Sequence, residues 1–267
     1  MITADTLSVD YSDRAIYYEV EYDEAVDHDF YRALIAEGAE SVLEIPCGTG
    51  RNALVLAGEG KPYTAADIEP CMVERLRGRA AEHGIINIEA CVADMRRIGL
   101  NRQFDLIFSP REAFQLIPDK QGAIEALHSM KAHLSPGGTL IIDLSLFAKD
   151  PSEDPAVHPD YFDPELPMGE MIAEWTRGLP DGSKLKRARV QTVDEAAANI
   201  HYHYERWNNG GLSRNWNSKI TLSLYAFEEF EQMAATAGLQ AVAVYRDYKF
   251  TPYEAGSSRM VFRLTHA

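Results

Sequence analysis

Gly48 and Gly50 stand two apart in the run Pro46-Cys47-Gly48-Thr49-Gly50, between an apolar stretch of strand length, Ser41–Ile45, and a segment of helical character over Asn52–Gly58. Glycines serve two purposes at such a place. The chain must turn sharply, and backbone N–H groups must approach a ligand with no Cβ in the way. Asp67 closes the next strand-like run, Tyr63–Asp67, where a carboxylate can accept from both hydroxyls of a ribose. Asp94 follows a third, Ile88–Val92, where a carboxylate can accept from the amino group of an adenine. Each feature alone is commonplace, since a glycine turn can bind nothing and a strand-end aspartate often caps a helix. Gly48–Ala53 also fits the G-x-G-x-x-A form of a dinucleotide loop, a weak signal by itself. Three features at three successive strand ends point to an adenosine-containing ligand.

A second group of residues could serve a reaction partner. Tyr18 and Tyr22, in Tyr17-Tyr18-Glu19-Val20-Glu21-Tyr22, offer phenol hydroxyls to a reacting group, or pack an amphipathic helix. His201 and His203 alternate with Tyr202 and Tyr204, so both imidazoles face one way, with Glu205 two positions on. Neutral imidazole suits proton removal near neutral pH. An H-x-H pair can hold a metal, but no third ligand at diagnostic spacing accompanies it, so no metal is expected. The plain alternative is a partly exposed strand face. Arg111 and Glu112 follow the fourth strand, at the edge where a polar acceptor would arrive, although a salt bridge is the ordinary explanation. Trp175, Trp207 and Trp216 either line an apolar pocket or form the core of a sheet.

The elements that position these residues alternate. Further strands are expected at Phe104–Ser109 and Thr139–Leu146, with helices at Glu69–His83 and Lys120–Leu134, the latter stopped by Ser135-Pro136-Gly137-Gly138. Repeated strand–helix–strand units imply an α/β fold: a doubly wound, mostly parallel sheet with helices on both faces. Tyr11–Ala36 is expected to form one or two helices across the carboxyl edge of that sheet, where open α/β sheets bind ligands. Lys149–Gly169, with five prolines and six acidic residues, reads as a loop or lid. Four antiparallel strands follow, at Met171–Arg177, Lys184–Val193, Asn199–Trp207 and Ser218–Tyr225, with turn signals at Asp181-Gly182 and Asn209-Gly210-Gly211. A helix at Ala226–Ala237 and strands at Leu239–Asp247 and Arg259–Thr265 complete a seven-stranded sheet. The expected organisation is a core of residues 1–148 and 226–267 around an inserted block, 149–225, on the acceptor side.

The 267 residues carry 41 acidic and 26 basic side chains, a formal charge of −15, which argues against nucleic acid or an anionic membrane as partner. The basic stretch Lys184–Arg189 is a local exception. Three cysteines, Cys47, Cys71 and Cys91, form no disulfide framework and suit a reducing compartment. Met1–Asp10 lacks the basic and apolar regions of a secretory leader, and no apolar run approaches about 18 residues, so a cytoplasmic protein is expected.

Val42-Leu43-Glu44-Ile45-Pro46-Cys47-Gly48-Thr49-Gly50-Arg51 resembles the first motif of the class I S-adenosylmethionine-dependent methyltransferases, V-L-E-x-x-C-G-T-G-R. Ala66-Asp67-Ile68-Glu69-Pro70-Cys71-Met72 is similar to the second, G-x-D-x-S-x-x-M. Ala93-Asp94-Met95-Arg96 resembles G-D-M-R after the third strand, and Leu134–Gly138 resembles the L-x-P-G-G turn. Pro46 and Ala66 depart from the pattern, each replacing a glycine. The resemblance implies a Rossmann-like fold and S-adenosylmethionine as cofactor. Glu44 would orient the loop, Gly48 and Gly50 would approach the methionine part, Asp67 would hold the ribose, and Asp94 with the Met95 N–H would read the adenine. Tyr18, Pro46, Arg51, Ile68 and Ser109 complete the implied cofactor contacts.

Tyr17–Tyr22 is similar to an F-Y-D-L-E-Y segment of a bacterial small-molecule branch that includes amino-sugar N-methyltransferases. That branch carries a base or an aromatic residue after the fourth strand. Here Gln115 or Leu116 occupies that place, which argues against a sugar amine. The resemblance implies methyl transfer to a nitrogen or oxygen of a small-molecule acceptor, with Tyr22 as a candidate catalytic residue; the strand pattern adds His203 and His201, and a homodimer is an oligomeric option. Two alternatives compete: a non-catalytic cofactor-binding protein, and an NAD-dependent oxidoreductase. Glu44 before the glycines and the lack of a Tyr-x-x-x-Lys pair argue against the second.

Overall fold

A computed structural model describes residues 11–22, 25–147 and 161–267. Among them the strands form two sheets, one of seven strands and one of four. Most of the expected lid lies in 148–160, outside the described residues.

The seven-stranded sheet contains β1 (Val42–Glu44), β2 (Tyr63–Asp67), β3 (Ile88–Val92), β4 (Phe104–Ser109), β5 (Leu134–Ser145), β10 (Leu239–Tyr245) and β11 (Arg259–His266), in the order β10-β11-β5-β4-β1-β2-β3. β11 runs antiparallel to both its neighbours, and the other pairings are parallel. Chain order reverses between β1 and β4, and the carboxyl ends of strands on either side of that reversal leave a crevice. β1 and β2 are buried at every residue because helices cover both faces, as their apolar runs require. Packed around them are α1 (Tyr11–Glu21), α2 (His28–Ala36), α3 (Ala53–Leu56), α4 (Pro70–Glu82), α5 (Lys120–Ala132) and α6 (Phe227–Thr236). The helix expected over Asn52–Gly58 is one α turn continued by a 3₁₀ turn over Ala57–Glu59.

The second sheet, β6 (Ile172–Gly178), β7 (Lys184–Val193), β8 (Ala197–Asn208) and β9 (Gly211–Ser223), falls in the chain between β5 and α6. Asn209 and Gly210 both adopt positive φ, 49° and 80°, in the two-residue turn that sets the β8–β9 register. β9 therefore begins at Gly211, seven residues before the expected Ser218. β5 also begins early, at Leu134, because Leu134 pairs with Phe104 before the register breaks and resumes at Leu106–Thr139. The Ser135–Gly138 turn is thus an irregularity within a strand. An apolar cluster joins α1 to the second sheet, with Tyr17 and Tyr22 packed against Leu185, Ile200, Tyr202 and Tyr204.

Candidate active site

The loop after β1 is held from the next strand. The Gly48 N–H donates to Asp67 Oδ2 at 2.8 Å, and the Glu69 N–H donates to Asp67 Oδ1 at 2.9 Å. Gly48 and Gly50 sit at φ +53° and +92°, a region that favours glycine. A Cβ at Gly50 would fall 2.2 Å from Leu76 Cδ1, so Gly50 lets α4 pack beneath the loop. Burial pushes the Asp67 carboxyl up to about 6, with the two backbone donors opposing the shift. Glu44 is buried at the end of β1, where the Tyr63 hydroxyl donates to its Oε2 at 2.8 Å. Burial pushes its carboxyl up to about 8.

Arg51 clamps Asp27 with two hydrogen bonds, 2.5 Å to Oδ1 and 2.7 Å to Oδ2. Burial of Asp27 would raise its pKa, yet the charge and hydrogen bonds of Arg51 hold it at about 2. Asp94 is chelated by its neighbour: Arg96 Nη2 donates to Oδ2 at 2.6 Å and the Arg96 N–H donates to Oδ1 at 2.9 Å. Those bonds hold the Asp94 carboxyl below the usual range.

These groups border one cavity of about 380 Å³. Of the expected cofactor residues, Tyr18, Glu44, Pro46, Gly48, Arg51, Asp67, Ile68, Asp94 and Met95 line it. Gly50 and Ser109 lie behind that lining, Gly50 against Leu76 and Ser109 fully buried at the end of β4. Tyr22 lines the cavity beside Tyr18, their ring centres 4.8 Å apart. The histidines are not brought there. β8 turns Ile200, Tyr202 and Tyr204 into the core, so its alternate residues face away. His201 is exposed, and His203 Nδ1 lies 2.8 Å from Asn217 Oδ1 on that outer side.

The loop after β4 supplies Pro110, Arg111, Ala113, Leu116, Ile117 and Pro118 to the cavity wall, and Tyr161, packed on Tyr22, completes it. Arg111 and Glu112 have consecutive positive φ values of 48° and 47°, for which no residue type in the sequence gives a signal. The Arg111 N–H donates to Asp143 Oδ2 at 3.0 Å. Glu112 turns inward to Arg259 at 2.7 Å, and the same guanidinium reaches Asp143 Oδ1 at 2.5 Å. Gln115 is likewise committed: its Nε2 donates to the carbonyls of Ser145 and Ser223 at 3.0 and 2.8 Å, and its Oε1 accepts the Ser145 N–H at 2.7 Å. That leaves Leu116 facing the cavity. The arrangement fits an adenosine-bearing ligand: a glycine cradle under Tyr18, carboxylates at two successive strand ends, and a guanidinium beside the loop. Among the described residues no helix is long and apolar enough to cross a membrane, and no cluster of three potential ligands could hold a metal ion.

Residues 42–138 match the family described as Methyltransferase domain. The chain is 25% identical, over 83% of its length and 81% of the other's, to the cypemycin N-terminal methyltransferase of Streptomyces sp. It superposes with a TM-score of 0.75 on an S-adenosylmethionine-dependent methyltransferase from Clostridium acetobutylicum ATCC 824, at 16% identity, covering 96% of this chain and 99% of the other. The sugar N-methyltransferase KedS8 from Streptoalloteichus sp ATCC 53650 gives a TM-score of 0.69 at 20% identity, over 98% and 95% of the two chains.

Proposed function

We propose that this chain, an S-adenosylmethionine-dependent methyltransferase, moves the cofactor's methyl group to an amine nitrogen of a small-molecule metabolite. The observation that carries the reading is the composition of the cavity's far end. Tyr22, Tyr161 and Leu116 meet there, with Arg111 and Ala113 on the adjoining loop, while Glu112 and Gln115 are committed to partners elsewhere and His201 and His203 face away. A hydroxyl acceptor needs a base to take its proton, whereas an amine that enters neutral needs only alignment. The name of one structural neighbour, a sugar N-methyltransferase, specifies nitrogen, and that of a relative places its methylation at an amino terminus, which supports the same atom.

In this reading Asp67 accepts from the ribose hydroxyls, and the Met95 N–H reads the adenine edge with the Asp94 carboxylate once Arg96 yields part of its hold on it. Arg51 lies beside the loop that cradles the methionine part. The bound cofactor supplies a sulfonium methyl with a good leaving group. The chain therefore contributes orientation and exclusion of water. Tyr18 covers the Gly48 loop, and Tyr22 touches the acceptor. Block 149–225 belongs to the acceptor side, supported by Tyr161 in the cavity wall. A cytoplasmic setting fits three free cysteines.

The test is incubation of the purified protein with methyl-labelled cofactor and two acceptor panels, one of amines and one of hydroxyl compounds without nitrogen, with products located by mass spectrometry. N-methyl products are expected. Products confined to the hydroxyl panel would overturn the nitrogen assignment, and turnover that falls with His203→Ala would return the imidazole to the mechanism.

A further inference from the structure

β7 alternates in an unusual way. Its outward residues include Lys184 and Lys186, but its inward ones include two arginines, Arg187 and Arg189, whose side chains are 5% and 7% exposed. Glu174 of β6 lies between them. Arg187 Nε and Nη2 donate to its carboxylate at 2.7 and 3.0 Å, and Arg189 Nη2 pairs with the same group. Arg187 Nη1 also lies 3.4 Å from Oε2 of Glu21, the last residue of α1.

The guanidiniums meet more than carboxylates. The Arg187 guanidinium carbon lies 4.6 Å from the ring centre of Tyr202, 4.8 Å from that of Trp175 and 5.9 Å from that of Tyr22. Arg189 Nη1 donates to the Tyr161 carbonyl at 2.8 Å, and the Tyr202 hydroxyl donates to the same oxygen at 3.3 Å. The Tyr161 ring in turn packs on Tyr22, centres 5.5 Å apart. Two buried cations thus stand directly behind the two tyrosines at the far end of the cavity. Apolar side chains of like volume would join helix to sheet at least as stably, because desolvation offsets most of the gain from a buried ion pair. Apolar packing would not fix the direction of a ring or a carbonyl. Directional hydrogen bonds and a cation over a ring face do.

We propose that Arg187 and Arg189 are positioning residues for methyl transfer, holding Tyr22 and Tyr161 at the angles that shape the acceptor end. The inference rests on the reading of that end as the acceptor site. It also assigns the inserted sheet a role: it delivers two cations to the back of the cavity wall.

The test uses the full chain labelled with ¹³C at tyrosine Cζ and saturated with S-adenosylhomocysteine, the Tyr22 and Tyr161 signals being assigned with Tyr22→Phe and Tyr161→Phe. In Arg187→Met the Tyr22 signal should shift and broaden, while calorimetric affinity for S-adenosylhomocysteine stays within about threefold of wild type, a change below 1 kcal/mol. Arg187→Lys, which keeps a cation over the ring, should restore a sharp Tyr22 signal. Arg189→Met should move the Tyr161 signal instead. Unchanged tyrosine signals in both Met variants would overturn the proposal, as would a loss of cofactor affinity equal to the spectral change, which would mark a general packing defect. If a Met variant does not fold, Glu21→Gln cuts the link to α1 while leaving Glu174 on both arginines. The Tyr22 signal should then move alone, and an unmoved signal is equally fatal. Failure of the wild type to bind S-adenosylhomocysteine would instead sink the cavity reading itself.

Discussion

The ring of Tyr18 lies over Gly48 so closely that a Cβ there would sit 3.3 Å from Tyr18 Cε1. A helix of the amino-terminal segment therefore forms the roof of the glycine loop, and the loop's geometry and the roof's height depend on each other. Gly48→Ala meets two penalties, a φ of +53° that alanine resists and the contact with the tyrosine. The left-handed conformation alone costs about 1–2 kcal/mol. If the free loop relaxes from that conformation, binding must restore it, and calorimetry should show S-adenosylmethionine bound roughly 5–30-fold more weakly, the equivalent of that cost; a loop that stays strained would instead lower the thermal stability.

Cofactor binding should be pH-dependent through Asp67. Burial raises this carboxyl to about 6, so it takes up a proton as pH falls through that value in the free protein. Ribose hydroxyls donate to the carboxylate, and binding is therefore strongest above pH 6 and lost below it. At pH 5 the affinity should be about tenfold lower than at pH 8, as expected one unit below the pKa. Asp67→Asn should bind weakly and show no such slope. Wild-type affinity that stays flat from pH 8 to 5 would count against a direct contact.

Glu44 should impose the opposite sign on folding stability. Its folded pKa of about 8 lies above the ordinary 4.5, so the unfolded chain loses this proton first. The stability this group contributes is fully present at low pH and declines as pH rises from 4.5 to 8. Between pH 7 and 8 Asp67 is ionised and His28 and His201, whose imidazoles burial holds below their ordinary pKa, are largely neutral, which leaves Glu44 the main contributor. Urea unfolding in that window should show wild-type stability falling by at most about 1.4 kcal/mol per unit, and Glu44→Gln should flatten the slope.

The buried Arg259 lies under the acceptor loop, and removing it should cost far more than a surface pair would. Arg259→Met leaves Glu112 and Asp143 buried without their shared cation. Breaking such a group by deleting one partner costs about 3–5 kcal/mol. Urea denaturation should show a loss of that size, partly recovered in Arg259→Met combined with Glu112→Gln.

Most of the cofactor side was legible because its parts are local. A glycine pair after a strand and carboxylates at strand ends can be read without tertiary contacts, and Gly48, Asp67 and Asp94 meet in one cavity. The acceptor side was less legible because it depends on distant partners. The alternation of His201 and His203 was clear, but which side of β8 would be buried was not. Tyr202 and Tyr204 carry the larger apolar surface and turn inward. Likewise Lys184–Arg189 reads as a basic surface until Glu174 and Glu21 are seen to take Arg187 into the core. Tyr161 stands in a proline-rich, acidic stretch with no pattern that marks a cavity wall.

Helix α1 is fastened unequally on its two sides. Toward α4 its ion pairs, among the described residues, run through Glu19 alone, to Arg75 at 2.8 Å and Arg79 at 3.9 Å, with side chains 22–45% exposed. Toward the inserted sheet it is held by the buried Glu21–Arg187 contact, by Arg177 on the Val20 carbonyl, and by Tyr17 stacked on Trp216. An exposed pair is worth about 0–1 kcal/mol and is screened by salt, so the two sides act as latch and hinge. Departure of a spent ligand from beneath Tyr18 would then begin at Glu19, with the helix swinging while it stays attached to the sheet. On that route ionic strength would act on the rate of ligand exchange more than on occupancy. Stopped-flow release of S-adenosylhomocysteine should quicken with added salt, and Glu19→Gln should release it faster with little further response to salt. A release rate indifferent to both would mean that the exit lies elsewhere.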